Sequence, residues 1–346
     1  MECEDLVNDS KNIPFVSVIM PVCNEGSYIH ISLGSVIGQD YPTELMEIII
    51  VDGMSTDDTR QKVKQIAARM PDLSIRILEN PKHIVPSAMN IGIRASQGEV
   101  IARVDGHCKI PEDYLSTCVA ELITSDVQNV GGMQYPIGDN YTSRAVAIAT
   151  SSPYFIGNSY FRYAQQKRLV DTVFLGVYSR KVFYEIGLFD EELVRHQDYD
   201  LNLRLRNQGG KILYLPGLKV EYHPRDTIGS FFKQYFQYGL WKVRVMQKSK
   251  HAFRLRHFAP TAVFITVFGG GLLALVLPWI RPIYLSGLAL YLLGSVLVSL
   301  LVSGQTRTWK YLPLLPLIFS AIQFGWGGGF WWGTIKWNLL SPYAKE

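Results

Sequence analysis

Cysteine is scarce in this chain: Cys3, Cys23, Cys108 and Cys118 show no paired spacing of the kind that builds a metal site or a disulfide framework. A reducing cytoplasmic setting accounts for them without bridges. Glycine-rich phosphate loops are absent too. No G-x-G-x-x-G follows the first β-rich run and no G-x-x-x-x-G-K-S/T occurs, so dinucleotide and P-loop readings lose their support. Acidic residues vanish from the last third. Residues 233 to 258 hold Lys233, Lys242, Arg244, Lys248, Lys250, Arg254 and Arg256 with no acidic partner, and after Ala259 the only acidic residue is Glu346. The formal net charge of +4 belongs to that tail, while the 258 residues before it are balanced, which excludes a nucleic-acid-binding reading. Met1 to Asn12 is polar and acidic and lacks the apolar core of a signal peptide. With 48% hydrophobic and 18% charged residues among 346, the chain is neither disordered nor collagen-like.

What is present begins with three apolar stretches after the basic cluster: Ala259 to Ile280, Ile283 to Ser303, and Tyr311 to about Trp337. Each is near the roughly 20 residues that a helix needs to cross a bilayer core. Arg281 and Pro282 make a tight turn between the first two, and Arg307 and Lys310 flank the next connection. With the basic cluster on the cytoplasmic side, the Arg307 loop falls on that side as well, in line with the positive-inside bias. Pro313, Pro316 and the run Gly327 to Gly329 are expected to weaken a straight third helix, leaving it spanning or re-entrant, and Trp326, Trp331, Trp332 and Trp337 read as an interfacial belt.

The part before the basic cluster alternates strands and helices. Phe15 to Met20, Glu47 to Val51, Ser74 to Leu78 and Glu99 to Val104 read as strands; helical patterns run through Leu33, Val36 and Ile37, over Thr59 to Met70, and over Ser87 to Ala95. That alternation predicts an α/β fold with a Rossmann-like, mostly parallel sheet and flanking helices, in which ligands bind at the carboxyl ends of the strands. Polar residues stand just after three of those strands: Asn24 and Glu25, Asp52, and Asp105 with His107. A carboxylate and an imidazole two residues apart suit Mn²⁺ or Mg²⁺ holding a diphosphate better than a structural zinc. His223, past the β-rich runs Ile212 to Leu215 and Val220 to Tyr222, is a further candidate ligand or a solvated loop histidine. Asp198 and Asp200 fall in the first turn of a helix, where a carboxylate is ordinarily a dipole partner; the sharper reading makes Asp198 a general base.

Taken in order, Val18-Ile19-Met20-Pro21-Val22-Cys23-Asn24-Glu25, Val51 to Thr59, Gly98-Glu99-Val100 leading to Asp105-Gly106-His107, and Gln197-Asp198 form a specific pattern. On these residues the chain resembles the family 2 glycosyltransferases of the GT-A fold over most of residues 14 to 258. Asp171-Thr172-Val173, Gly176, the run Gln197 to Asn202 and the apolar C-terminal segments are most similar to the succinoglycan-type exopolysaccharide members. The resemblance implies that Pro21, Asn24, Glu25 and Asp52 hold the base and ribose of a nucleotide sugar. It implies that Asp105 and His107 form the metal motif for Mn²⁺ or Mg²⁺, that Asn90 and Arg103 lie near the donor, and that Asp198 is the catalytic base. Two departures stand out: His107 occupies a place where the family usually has a second carboxylate, and Gln197 one where many members are acidic.

The implied layout is an N-terminal extension (1–13), a GT-A catalytic domain (14–227), basic amphipathic interfacial helices (228–258), about three transmembrane segments (259–337) and a C-terminal tail (338–346). The implied activity is inverting transfer from a nucleotide-sugar donor to a lipid-linked, polyprenyl saccharide, by an integral membrane protein whose catalytic domain is on the cytoplasmic side of the plasma membrane. Membrane lipids are partners, and small-residue-rich helices such as Phe268 to Ala274 allow a homo-oligomer. Arg225 and Lys242 are extra phosphate partners or face lipid headgroups. Two other readings stay open: a processive polysaccharide synthase, although Gln237 to Lys242 lacks the Q-x-x-R-W spacing of such enzymes, and a non-catalytic nucleotide-sugar-binding scaffold.

Overall fold

A computed structural model describes residues 13–252 and 255–339 of the chain. The N-terminal extension and the C-terminal tail fall almost wholly outside the described residues, as does Cys3; Cys23, Cys108 and Cys118 are free thiols. Two units make up the chain, Met1–Tyr135 with Ala164–Tyr222, and Pro136–Tyr163 with His223–Glu346.

In chain order the elements are β1 (Val16–Val22), α1 (Ile29–Ile37), β2 (Met46–Asp52), α2 (Thr59–Ala67), β3 (Ser74–Glu79), α3 (Val85–Ala95), β4 (Val100–Arg103), β5 (Cys108–Lys109), α4 (Tyr114–Thr124) and β6 (Asn129–Pro136). There follow α5 (Tyr141–Thr150), α6 (Pro153–Ile156), β7 (Arg168–Leu169), β8 (Phe174–Ser179), α7 (Lys181–Glu185), α8 (Gln197–Asn207), β9 (Ile212–Tyr222) and α9 (Ile228–Lys248).

The first unit is built on one nine-stranded sheet in the order β3-β2-β1-β4-β8-β6-β9-β5, with β7 pairing to β9. Strands β3, β2, β1 and β4 run parallel, whereas β8 joins β4 antiparallel and β6 joins β8 antiparallel. The periodicity of the sequence marks the parallel half because those strands are covered on both faces: all seven residues of β1 and of β2 are buried, and such strands read as unbroken apolar runs. Edge strand β3 is only half-buried, as its mixed Ser-Ile-Arg-Ile-Leu-Glu sequence requires. Pro21 is tolerated inside β1 because β4 pairs only as far as Ile19↔Arg103, so the missing N–H falls where that neighbour has already left. Helix α3 starts at Val85, before the expected Ser87, with Pro86 in its first turn, where a proline loses no intrahelical bond. Strand β9 runs unbroken through Pro216 and Gly217, where sequence alone shows two shorter runs.

At the amino ends of these strands Glu47, 3% exposed, accepts hydrogen bonds from Ser17 Oγ (2.6 Å), Gln97 N–H (2.6 Å) and Arg76 Nη2 (2.6 Å). Burial opposes its charge, but these donors outweigh it and hold its pKa below the usual 4.5. A depressed folded-state pKa means that this anchor stabilises the fold above about pH 4.5 and that the contribution is lost as pH falls. Replacing Glu47 with Ala is expected to destabilise the protein by about 2–4 kcal/mol, less than a fully enclosed pair because Arg76 is partly exposed. The check is a lowered melting temperature at pH 7 and a difference from wild type that shrinks below pH 4.

The second unit is helical. Among the described residues two helices, Ala259–Val276 and Pro278–Thr306, are long and apolar enough to cross a membrane, and their large side chains, among them Leu272, Leu275, Ile283 and Leu290, are exposed. The expectation of a weakened third helix is corrected: Leu315–Leu339 is one continuous helix. Its glycines serve close packing instead. A Cβ on Gly329 would lie 2.0 Å from the Phe236 carbonyl oxygen, one on Gly333 would lie 2.8 Å from that of Leu240, and one on Gly239 of α9 would lie 2.1 Å from that of Trp326. A Cβ on Gly327 would lie 2.3 Å from the Pro260 carbonyl oxygen, so Gly327 and Gly329 feed two interfaces. Lys242 of α9 is buried at 2% exposure, so it does not face headgroups on an open surface.

The segment 136–163, which sequence reading leaves inside the catalytic domain, belongs to this helical unit. Ala145, Val146, Ala149 and Phe155 form one core with Phe231, Tyr235, Leu315 and Ile318. Gly329→Val is expected to separate α9 from the last helix, seen as faster amide exchange in both. Gly294→Val, at a position with open space around it, should leave exchange unchanged.

Candidate functional site

Four strand ends of the first unit supply the chemistry, and the first two loops are tied together by their backbones. After β1, Asn24 accepts from Thr56 N–H at 2.8 Å, its own N–H goes to Ser55 Oγ at 2.9 Å, and Glu25 N–H goes to Thr59 Oγ1 at 2.9 Å. Gly26 N–H reaches Asp57 at 2.9 Å, and the Thr59 hydroxyl bond foremost holds Asp57 below its ordinary carboxylate pKa. Asn24, Met54, His83 and His196 all have positive φ, from 55° to 62°. Non-glycine residues held there store about 1–3 kcal/mol each and gather at functional loops.

Asp52 is fully buried. Its carboxylate accepts from Ser55 N–H and Oγ and pairs with Arg60, which also reaches Glu79. Asn90, 2% exposed, clamps the segment before α8: its Nδ2 donates to the Phe189 carbonyl (2.9 Å) and Glu191 (2.8 Å), and its Oδ1 accepts from Phe189 N–H (2.9 Å). Both side chains are engaged within the protein, so in this structure their polar atoms shape the loops.

At the end of β4, Arg103 grips Asp105 with two parallel bonds, Nε to Oδ1 at 2.7 Å and Nη2 to Oδ2 at 3.0 Å, a fork that only arginine makes. Both are nearly enclosed, at 12% and 17% side-chain exposure. Burial opposes the charge of each, yet the pairing prevails: Asp105 lies below its usual pKa and Arg103 above its own. Asp198 adds to the field that raises Arg103, and its negative charge, second to burial, also pushes up the Tyr178 phenol on β8. The two carboxylates singled out in the sequence, Asp105 and Asp198, therefore act on one guanidinium.

Asp198 lies in the first turn of α8, where its Oδ1 accepts from Tyr199 N–H at 2.9 Å. Asp200 is different. It pairs with Arg204 at 2.9 Å, and that arginine holds the Ile186 and Leu188 carbonyls, so Asp200 is structural. One turn after Asp198, the buried Asn202 accepts from Asn129 Nδ2 (2.9 Å) and donates to Thr172 Oγ1 (2.8 Å), fixing the helix against β6 and the start of β8. In the sequence the signal for Asn202 is only its spacing of four from Asp198.

His107 follows Gly106. Its Nδ1 is 3.0 Å from Glu25 Oε1, so Glu25, expected on the nucleotide, holds an imidazole here. His223 belongs to the second unit and pairs with Asp139 at 2.9 Å. Among the described residues no three His, Cys, Asp or Glu side chains cluster as a metal site. The donor set of Asp105 and His107, one carboxylate and one imidazole, fits an ion that arrives with a diphosphate and takes its remaining ligands from phosphate oxygens and water. It does not fit an ion caged by protein alone.

A half-parallel sheet with polar loops at the carboxyl strand ends and flanking helices is the architecture of a GT-A glycosyltransferase. The model of the family described as glycosyl transferase family 2 matches residues 17–187, so this part of the chain is a family 2 glycosyltransferase domain. It is 29% identical over 334 residues, 94% of its length and 98% of the relative's, to the dolichyl N-acetyl-alpha-D-glucosaminyl phosphate 3-beta-D-2,3-diacetamido-2,3-dideoxy-beta-D-glucuronosyltransferase of Methanococcus voltae. It is 27% identical over 317 residues to a succinoglycan biosynthesis protein, ExoA, of Rhizobium meliloti, covering 91% of this chain and 93% of that one. Among solved structures, a mannosyltransferase of Pyrobaculum calidifontis in complex with GDP-Man and Mn²⁺ superposes with a TM-score of 0.60 at 20% identity, over 96% of this chain and 88% of that one. That likeness supports the fold.

Proposed function

We propose that this glycosyltransferase is anchored in a membrane and moves a sugar, with inversion, from a nucleoside-diphosphate sugar to a saccharide carried on a polyprenyl lipid. The observation that carries the reading is geometric: the Asp105 carboxylate forked by Arg103 at the end of β4, with the Asp198 carboxylate in the first turn of α8 adding to the field at the same guanidinium. It fits a site where a diphosphate leaves on one side and an acceptor hydroxyl attacks on the other. The relative from Methanococcus voltae has a dolichyl-linked saccharide in its name, and the two apolar helices here would hold such a chain at the bilayer. The basic residues around α9 and the Arg307–Lys310 loop support a catalytic unit on the cytoplasmic side.

In this mechanism Asp198 takes the proton of the acceptor hydroxyl as its oxygen bonds to the anomeric carbon. The bond from that carbon to the phosphate oxygen breaks, and the nucleoside diphosphate departs with the electron pair. Asp105 and His107 would hold Mn²⁺ or Mg²⁺, which when bound supplies charge stabilisation to the leaving diphosphate. Arg103 keeps Asp105 in place and faces Asp198 with positive charge. The tied loops after β1 and β2, with Pro21, Asn24 and Asp52, form the wall for base and ribose. The positive end of α8 favours a carboxylate at Asp198.

The test is a panel of labelled UDP- and GDP-sugars, with divalent ion, supplied to membranes containing the full chain. Label extracted with the lipid fraction, one sugar per acceptor, is expected for one donor. Donor binding without labelled lipid would leave a scaffold, and long labelled polymers would mean a processive synthase.

A further inference from the structure

The Asp105-Gly106-His107 turn and Glu25 come from different strand ends and are packed to touch. A Cβ on Gly106 would lie 2.9 Å from Glu25 Cγ and 2.9 Å from Val22 Cγ1, so only glycine permits the approach. Both sides are fixed from behind. Glu25 is held through its N–H on Thr59 Oγ1 (2.9 Å) and through its carbonyl, which accepts from Tyr28 and Ile29. The Gly106 carbonyl accepts from Ser32 Oγ at 2.8 Å, and β5, directly after His107, pairs with the end of β9. The imidazole is thus held between Glu25 Oε1 at 3.0 Å and the Tyr222 ring, whose centroid is 6.2 Å away.

A carboxylate on Nδ1 selects the tautomer with that nitrogen protonated, so the lone pair is on Nε2. This is the arrangement by which outer carboxylates orient metal-binding histidines. We propose that Glu25 is a positioning residue: it acts through His107, presenting Nε2 to the divalent ion of the donor diphosphate, and it does not act through the nucleotide. The proposal rests on the donor-site reading above. Its consequence is selectivity. An imidazole nitrogen is a poor ligand for Mg²⁺, which demands oxygen and keeps its waters, and an acceptable one for Mn²⁺. The Glu25–His107 pair therefore tilts the site toward Mn²⁺, where an Asp-x-Asp motif would not discriminate in this way.

The experiment uses the full chain in lipid nanodiscs. Binding of UDP and GDP is measured by calorimetry with Mn²⁺, with Mg²⁺ and with no metal, and Mn²⁺ uptake is followed by loss of its free electron-spin-resonance signal. Glu25→Ala is expected to weaken Mn²⁺-dependent binding about 10- to 100-fold, the usual loss when an outer partner is removed. It should leave metal-free nucleotide binding and Mg²⁺-dependent binding unchanged. Glu25→Gln, whose amide oxygen still accepts from Nδ1, should recover most of the loss. His107→Ala should lower the Mn²⁺:Mg²⁺ affinity ratio to the same extent, and Glu25→Ala on that background should add nothing.

An unchanged ratio in His107→Ala, or a loss of metal-free nucleotide binding in Glu25→Ala, overturns the proposal while leaving the transferase reading intact. Failure of the wild-type chain to bind either nucleotide under any condition overturns both.

Discussion

Asn in place of Asp198 is expected to lower sugar transfer by about 10²- to 10⁴-fold, the usual contribution of a general base, while nucleotide-sugar affinity stays at the wild-type level. Asp198 accepts a hydrogen bond from Tyr199 N–H, which an asparagine oxygen can also accept, so the first turn of α8 keeps its shape. Asn202 one turn later, tied to Asn129 and Thr172, holds the helix in register whatever stands at position 198. Only the proton acceptor is lost. Steady-state transfer and calorimetric donor binding on the same preparation check both halves, and equal turnover in the variant would remove Asp198 from its assigned role. Asp200→Asn serves as contrast: it releases Arg204 from the loop carbonyls and should lower stability more than it changes chemistry in the folded fraction.

Arg103→Leu should have the largest effect on stability, about 3–5 kcal/mol, because it leaves the nearly enclosed Asp105 carboxylate without its counter-ion. The pH dependence should change sign with it. In the wild-type protein Asp105 lies below its ordinary value of 3.8, so the pairing stabilises above that pH and is lost as acid is added. Without Arg103, burial raises the pKa of Asp105, and the penalty is present above that raised value and relieved as pH falls. Removing both side chains, in Arg103→Leu with Asp105→Leu, should cost less than the single change, since charge is no longer stranded. Thermal unfolding between pH 3 and pH 8 measures all three variants. Arg103→Lys, which cannot form the fork, should fall between.

The parallel half of the sheet is readable from the chain because β1 and β2 are apolar but for Ser17 and Glu47 and lead into the polar residues Asn24 and Glu25, and Asp52. The antiparallel half is much less so. Strand β9 contains Pro216 and Gly217, which ordinarily break a strand, and β5 and β7 are two residues each, set by tertiary pairing alone. Residues 136–163 read as part of the catalytic domain because their composition does not differ from it; their membership of the helical unit is decided by which apolar faces meet, Phe155 against Phe319 among them. Glycines 327 to 329 read as helix breakers in isolation. In the folded helix Gly327 and Gly329 let Pro260, Phe264 and Phe236 approach so closely that a Cβ would collide with them. At the site, position after a strand singles out Asp105, His107 and Glu25 as candidates but does not show that Glu25 pairs with His107. Partnership depends on which loops cross, and that lies in the packing of Gly106 against Glu25.

We propose that Asp105 and Asp198 serve one reaction centre. A structure of the full chain with an unreactive nucleotide-sugar analogue and Mn²⁺ measures this directly. Diphosphate density beside Asp105 and His107, with the anomeric carbon lying between it and the Asp198 carboxylate, is the predicted result. A sugar bound with Asp198 on the same side as the departing phosphate, or away from it altogether, would contradict the account.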